Sequence, residues 1–551
     1  MSVTEASHTL RVIPLGGFGE FGNNMLIYEF GDDAVIVDCG TMFPESATLG
    51  IDMIIPDMSY VVANASRFKA LFLTHGHEDH VGATPFLIER VPMPVYGLPL
   101  TIGLMRDKLE EFGLDAVADL RVLAPRDVVE VGAIRVEPIH VTHSTVDSVA
   151  YAIRTPGGTV IHTGDFKIDE QPVDGKPTDL ERFQQYGDEG VLLLVSDSTN
   201  VLFGGHCPSE RAVVPVISDI VERAPGRVLI TTFSSHIHRM QQVMEIADRA
   251  GRRTQVLGRS MIRNTGTAER LGYLRRRLLP WRQDTGMDKS LLLITGSQGE
   301  PRSALARAAV NENKHLQLGP DDTVIFSSRL IPGNERSVGR LIDNLYRRGA
   351  TVYAHEVPTI HASGHAYREE LKMMFALVRP RYFIPAHGTL QFLTHHAELA
   401  KGTGMPSQNV LVITNGVAVD VGIAGLHKLA DPVPHGKVFL DSESEEVPTY
   451  VVRDRQHIAE DGFVIVVVAV DSNGRLMRKP EIITRGVLHV DANQDVLARL
   501  SEQVAEIVEQ SPFDERVDRD LLQDRIRSTL KRFFRKGYGR RPLILPVVWE
   551  M

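Results

Sequence analysis

Residues 73–82, LTHGHEDHVG, set His75, His77, Asp79 and His80 in the spacing H-x-H-x-D-H at the end of an apolar run. Like charges and desolvation make such a cluster costly unless a cation is held there. In an extended loop, residues two apart point the same way, so His75, His77 and Asp79 can converge while His80 turns to a second position. Imidazole nitrogen and carboxylate oxygen suit zinc or manganese. One ion needs three or four ligands and a second needs as many, so further donors must lie downstream. His143 in VTHS, Asp165 in HTGDFK and His387 in PAHGT each end a strand-like run beside a small residue. Asp165 is the natural bridge between two cations, since each of its oxygens can face one.

The elements that must position these residues are legible as runs of β-branched and apolar residues. AVIVD, KALFLT, RVEPIHV, SVAYAIRT, GTVIHTGD and VLLLVSD read as strands, and several end on a candidate residue: Asp38, His75, His143, Asp165 and Asp197. Loops after strands of a rigid sheet are where sites are usually built. ATPFLIERV and LTIGLMRDKLEEF read as helices between them, which gives an α/β class. From about residue 209 to 357 strands such as RVLITTF, LLLITG and DTVIFSS alternate with helices, as in an inserted parallel α/β unit. RYFIPAHG and VLVITNG then return to the earlier strand style. Residues 432–449, with DSESEE, read as a linker. The last hundred residues read as a small α/β module: strands GFVIVVVAV, EIITRGVLHV and PLILPVVW, and a helix with Val496, Leu500, Val504 and Val508 on one face.

A chain of 551 residues should form two or three domains, and 43% hydrophobic with 24% charged residues is ordinary for a globular protein. Its longest apolar run spans eight residues, far short of a membrane span, and the first residues lack a basic-then-apolar signal pattern. No membrane association is expected. Two cysteines, Cys39 and Cys207, supply no disulfide framework, so a cytoplasmic home is expected. A formal charge of −10 argues against a protein coated in nucleic acid, yet leaves room for local basic surfaces such as Lys531, Arg532, Arg535, Lys536, Arg540 and Arg541.

The order Asp38, H-x-H-x-D-H, His143, Asp165 resembles the metallo-β-lactamase superfamily. SDSTN with Asp197, ASGHA with His365 and PAHG with His387 are similar to its nucleic-acid-processing β-CASP branch. With GGFGEFGNNM, ATLGIDMIIPD and TTFSSHIHRMQQ, the chain resembles the bacterial ribonuclease J family throughout its length. The resemblance implies a metallo-β-lactamase αβ/βα sandwich with an inserted β-CASP α/β domain and a small C-terminal α/β domain. Its divisions fall at 1–208 and 358–435 for the sandwich, 209–357 for the insert, 436–449 for the linker and 450–551 for the C-terminal domain. It implies one metal held by His75, His77 and His143 and a second by Asp79, His80 and His387, with Asp165 between them. Asp38 would orient a ligand histidine rather than bind metal, and His162 would be structural. Zinc is expected, with manganese as the alternative.

Two such ions lower the pKa of a shared water and clamp phosphate oxygens of an in-line displacement. Asp197 and His365 would handle protons, with His365 protonating or stabilising the leaving 3′ oxygen. Phe233, Ser234, Ser235 and His236, and the cradle His361, Ala362, Ser363, Gly364 and His365, would hold the RNA backbone and a 5′-monophosphate; a plain helix cap is the alternative for the first group. Asp52, with Asp57 and the acidic linker, is a candidate for a structural calcium, loop capping being the other role. The expected activity is a metal-dependent ribonuclease working 5′-to-3′ and internally in RNA maturation and mRNA decay. It would act on single-stranded RNA with a 5′-monophosphate, as a homodimer or homotetramer through the C-terminal domain. The competing readings are a β-CASP nuclease preferring DNA and a small-substrate metallo-hydrolase; an insert of that size suits a polymer better than a small ester.

Overall fold

A computed structural model of the chain describes residues 9–44, 48–281, 289–331, 333–487 and 494–551. Ala47 of ATLGIDMIIPD and residues 488–490 of EIITRGVLHV therefore lie outside the described residues. The chain divides into two units, residues 1–43 with 54–437, and residues 44–53 with 438–551.

In the first unit the opening strands Leu10–Gly16, Met25–Phe30 and Asp33–Val37 pair antiparallel, and Phe68–Phe72, Val95–Gly97 and Leu120–Val122 extend the sheet in parallel. A second sheet runs, in spatial order, Tyr382–Ala386, Leu193–Asp197, Gly158–His162, Val149–Thr155, Ile134–His140 and Val129–Val131. One core fills the space between them, with Leu10, Tyr28 and Phe72 from the first meeting Val136, Tyr151 and Leu193 from the second. The other face of the second sheet packs Ile139, Ala152, Leu194 and Phe383 against helices Leu180–Glu189, Arg368–Val378 and Leu390–Gly402. Helix Pro99–Glu111 lies along the first sheet. The result is the αβ/βα sandwich expected from the motifs.

The insert is a sheet of parallel strands, Leu279–Pro280, Arg253–Leu257, Ser290–Ile294, Val228–Thr231, Thr323–Phe326 and Thr351–Tyr353 in spatial order. Successive residues alternate between two buried layers. Val228, Ile230, Leu291 and Leu293 face helices Val213–Arg223 and Ile237–Arg249, whereas Leu229, Leu292, Val324 and Phe326 face Ala304–Ala309 and Glu335–Arg347. Burial on both faces explains why these strands read as unbroken apolar runs.

Two expectations need correction. VLVITNG is not a strand: Val410 makes one bridge to Phe383, and the segment then turns so that Asn415 Oδ1 accepts from the Phe18 N–H at 3.0 Å and Asn415 Nδ2 donates to Glu20 at 2.7 Å. Its apolar residues Leu411 and Ile413 pack on the sandwich core without joining a ladder. The linker is also partly ordered, for Lys437–Leu440 pairs with Glu446–Val447 as a hairpin.

In the second unit Phe463–Val470 pairs antiparallel with Glu481–Arg485 and parallel with Leu543–Glu550. Val464, Val466, Val468, Ile544 and Val548 pack under helices Gln494–Gln510 and Arg519–Tyr538. No helix among the described residues is long and apolar enough to cross a membrane.

A buried ion pair anchors the insert's helix Ile237–Arg249. Arg239, fully buried, donates from Nε to Glu210 Oε1 at 2.6 Å and from Nη1 to the Ser327 carbonyl at 3.1 Å. Removing one partner of such a pair leaves an uncompensated buried charge and costs about 3–5 kcal/mol. Arg239→Met should therefore lower the thermal unfolding midpoint by several degrees, and adding Glu210→Leu should recover most of the loss; calorimetry of both variants checks it.

Candidate metal centre

The signature turn is built by two close backbone approaches. Asp38 ends strand Asp33–Val37 with a φ of 62°, and the next residues run against the turn at 78–80: Cys39 N–H bonds the His80 carbonyl and Thr41 N–H the Glu78 carbonyl. A Cβ on Gly40 would sit 1.6 Å from the Asp79 carbonyl oxygen, so only glycine fits there. His75, His77, Asp79 and His80 are thereby fixed at the mouth of strand Phe68–Phe72.

Two sets of donors result. In the first, His75 Nε2 lies 2.9 Å and His143 Nε2 3.2 Å from His77 Nδ1, and Asp165 Oδ2 lies 3.9 Å from both Nε2 atoms. In the second, His80 Nε2 is 3.2 Å from Asp165 Oδ2 and 3.6 Å from Asp79 Oδ2, and His387 Nε2 is 3.5 Å from Asp79 Oδ2. Ligands about 2.0–2.1 Å from a tetrahedral zinc stand about 3.3 Å apart, so donors at these spacings surround a gap of ionic size. Each set contains Asp165 and falls within 4.8 Å. The bridge differs from the expectation in one respect: a single oxygen, Oδ2, faces both sets, while Oδ1 accepts from His387 Nδ1 at 2.7 Å.

The inward nitrogens of His75, His80, His143 and His387 are oriented by a bond at the other side of the ring, the usual support of metal-ligating histidine. Asp38 Oδ2 lies 2.7 Å from His80 Nδ1, and Asp38 also accepts from the Thr74 N–H at 2.7 Å and hydroxyl at 2.8 Å. That hydroxyl in turn lies 3.0 Å from His75 Nδ1. His143 Nδ1 donates to the Gly364 carbonyl at 2.7 Å, with a Cβ on Gly364 excluded by the His143 ring at 2.7 Å.

The electrostatics divide the same way. Burial pushes the His75 and His143 imidazoles well below their ordinary value, and neighbouring imidazoles add to it; burial takes His77 down to about 4. Burial also opposes charge on His80 and His387, but the carboxylates around them outweigh it. Asp165, Asp79 and Asp38 hold His80 well above, and Asp165 and Asp79 take His387 up to about 10. Burial likewise opposes charge on Asp165, yet His387, His80 and His365 hold it well below the usual carboxylate range. The second set thus retains positive charge among its carboxylates even as bare protein.

A third group adjoins these. His365 Nδ1 lies 2.8 Å from Asp197 Oδ2, and Asp197 Oδ1 accepts from the Thr199 N–H at 2.8 Å and hydroxyl at 2.6 Å. The His365 ring stands 4.9 Å from that of His143. His162 Nδ1 lies 2.9 Å from the Tyr28 hydroxyl, and His162 belongs to neither donor set.

The expected backbone cradles are mostly tied into the fold. The half-buried Ser234 accepts from Asn264 Nδ2 at its hydroxyl (3.2 Å) and carbonyl (3.0 Å), and the Ser235 carbonyl accepts from the Thr145 hydroxyl at 2.9 Å. Phe233 is half-buried and His236 fully buried, 3.4 Å from Glu210. Ser363 accepts from Asn200 Nδ2 at 2.8 Å, Ala362 is buried, and His361 is half-buried. Among the described residues Asp52 joins no group of three metal donors, and Asp57 caps a turn by accepting from the Ser59 N–H at 2.8 Å.

Comparisons with known proteins agree with this geometry. Residues 18–206 match the model of the metallo-beta-lactamase superfamily, 225–345 that of the ribonuclease J beta-CASP domain, 349–412 that of the Zn-dependent metallo-hydrolase RNA specificity domain, and 450–551 that of the ribonuclease J C-terminal domain. Ribonuclease J of Thermus thermophilus is 39% identical over 98% of this chain and 95% of its own. The chain belongs to the ribonuclease J family. Ribonuclease J2 of Bacillus subtilis is 36% identical over 99% of both chains, and ribonuclease J of Mycolicibacterium smegmatis 38% identical over 98% and 97%. A solved structure of a protein of unknown function from Enterococcus faecalis shares the fold, with a TM-score of 0.52 over 75% of this chain and all of that one, at 17% identity. Family membership carries the coarse activity, a metal-dependent hydrolase of RNA.

Three residues of this ribonuclease J-family chain support the centre without having stood out as chemistry. Asn24, inside GGFGEFGNNM, places Nδ2 3.1 Å from His80 Nε2 and 3.0 Å from the Asp79 carbonyl. Glu78, the unassigned acid of the signature, pairs with the buried Lys108 of helix Pro99–Glu111 and so ties the turn to that helix. Gly40 admits the turn at all. Only the strand-end position of Gly40 and the acidity of Glu78 were visible signals.

Loss of a carboxylate that orients a ligand histidine costs about 10–100-fold in metal affinity. Asp38→Ala should show that loss in competition with a chromophoric chelator, with a fold unchanged by circular dichroism.

Proposed function

We propose that this chain hydrolyses single-stranded RNA with two divalent ions, removing nucleotides 5′-to-3′ from a 5′-monophosphorylated end and also cutting internally, in RNA maturation and mRNA decay. The observation that carries the reading is Asp165 Oδ2, which faces His75 and His143 on one side and His80 on the other. His75, His77 and His143 would hold one ion, Asp79, His80 and His387 the other, with Asp165 shared. When bound, the ion pair supplies an acidified water and charge compensation for the phosphate. Neutral imidazoles in the first set favour zinc there; the carboxylates of the second set admit manganese.

The protein's own part in the reaction lies in positioning and proton transfer. Asp197, fixed by Thr199, accepts from His365 Nδ1 and leaves Nε2 directed away from that carboxylate. In this reading His365 acts as imidazolium, Nε2 gives its proton to the leaving 3′ oxygen, and the Asp197 carboxylate bonded to Nδ1 orients the ring and stabilises its charged form. His143, oriented by Gly364, couples the cradle 361–365 to the first donor set. An anion near the Ser234–His236 segment is supported by Arg239 Nη2, a buried donor with no hydrogen-bond partner among the described residues.

Self-association through the C-terminal domain, as dimer or tetramer, is supported by the outer face of its sheet, where Ile483, Leu545 and Trp549 are exposed. A cytoplasmic setting is supported by Cys39 and Cys207, both buried free thiols.

Product lengths decide between this reading and a DNA-preferring nuclease. RNA with a 5′-monophosphate should yield mononucleotides; 5′-triphosphate RNA should yield only internal cleavage products, and single-stranded DNA should be cut at least about tenfold more slowly. Asp165→Ala should lose about 10³-fold or more of the rate, as expected when several kcal/mol of ion-pair stabilisation is removed.

A further inference from the structure

The closing helix of the second unit carries a surface that the catalytic account leaves unused. Residues 531–541 hold six cations, Lys531, Arg532, Arg535, Lys536, Arg540 and Arg541, and residues 525–549 contain no acid. In helix Arg519–Tyr538 the apolar residues Leu522, Ile526, Leu530 and Phe534 are buried in the domain core. At 3.6 residues per turn Lys531, Arg532, Arg535 and Lys536 fall on the opposite side, and all four are exposed. Among the described residues none of the four has an acidic partner, although Arg525 and Arg527 of the same helix do, in Glu515 and Asp524.

Lys531 with Arg535, and Arg532 with Lys536, are like-charge pairs four residues apart, an arrangement that costs a helix about 0.2–0.5 kcal/mol each. The helix dipole rewards cations in the last turn, which accounts for Arg535 and Lys536 but not for Lys531 and Arg532. Arg540 is used structurally, donating to the carbonyls of Gly486 and Val487. Arg541 continues the exposed surface, its backbone N–H held by Asp461 at 2.8 Å. Interleaved with the cations, exposed Tyr538 contacts the half-buried Phe533 at 5.7 Å between ring centres.

We propose that Lys531, Arg532, Arg535 and Lys536 form a second RNA-binding surface, which takes the phosphate backbone of single-stranded RNA independently of the catalytic centre. This rests on RNA being the substrate. A polyanion relieves the like-charge cost that the isolated helix carries, and an aromatic ring beside a backbone track offers a base a stacking partner. A membrane fits less well, because the apolar face of this helix is already spent on the domain's own core. The surface has no side-chain pattern for reading base edges, so binding is insensitive to sequence and strongly salt-dependent.

The test uses the full chain in its metal-loaded form. Affinity for a 30-nucleotide phosphorothioate RNA is measured by fluorescence anisotropy across a salt series, beside hydrolysis of a 5′-monophosphorylated hexanucleotide. In Lys531→Gln/Arg532→Gln/Arg535→Gln/Lys536→Gln, four lost phosphate contacts at about 0.7 each should cut the slope of log affinity against log salt by about 2–3. Affinity for the long RNA at low salt should fall at least tenfold, with hexanucleotide hydrolysis unchanged. The charge-preserving variant Lys531→Arg/Arg532→Lys/Arg535→Lys/Lys536→Arg should bind like the parent. An unchanged slope with the long RNA overturns the proposal. So does an equal loss in hexanucleotide hydrolysis, or a loss confined to binding of polyglutamate or of vesicles rich in phosphatidylglycerol. A parent that does not cleave the hexanucleotide contradicts the ribonuclease reading instead, and the salt slope still judges the surface.

Discussion

Four carboxylates, Asp38, Asp79, Asp165 and Asp197, converge on one small volume, and Asp38, Asp165 and Asp197 are almost wholly buried. Anions brought this close out of water are tolerable only if matched by positive charge. The local structure around the sandwich's strand ends follows from that requirement. Without metal the carboxylates hold His80 and His387 toward the charged form, whereas burial and neighbouring imidazoles hold His75, His77 and His143 toward the neutral form. Asp165 is the hinge of the arrangement, for one of its oxygens looks into both donor sets and the other is pinned by His387.

Holding such a centre costs the backbone. Asp38 and His387 both adopt left-handed φ values, 62° and 53°, which side-chain-bearing residues pay about 1–2 kcal/mol to reach. They are retained because strong contacts fix them: Asp38 by Thr74 and His80, His387 by Asp165. Strain of this kind at strand ends is characteristic of functional sites. The insert is anchored to the sandwich by Arg270 with Asp107, on the same helix whose Lys108 braces the signature turn, and by Tyr273 with Asp147.

How much of this could be read from residue types varies with the physics of each element. The strands that carry Asp38, His75, Asp165 and Asp197 were legible because a buried sheet imposes long β-branched runs. VLVITNG has the same composition but makes a single bridge, Val410 to Phe383, before it turns away, and composition does not encode where a ladder stops. The donor set was legible because histidine and aspartate in H-x-H-x-D-H have few other uses. The supporting shell was not: Asn24, Lys108 and the Gly364 carbonyl act through approaches between segments dozens to hundreds of residues apart. Gly364 illustrates the limit. As part of HASGH it suggested a cradle for phosphate, and nothing in that motif announced that its carbonyl orients His143.

The metal account stands on whether two ions occupy the two donor sets and share one carboxylate oxygen. Anomalous diffraction at the zinc and manganese edges, on crystals of the full chain, measures this directly. Two peaks about 3.5–4 Å apart should appear, one among His75, His77 and His143 and one among Asp79, His80 and His387, both within bonding distance of Asp165 Oδ2. A single peak, or two that leave Asp165 uncoordinated, would contradict it.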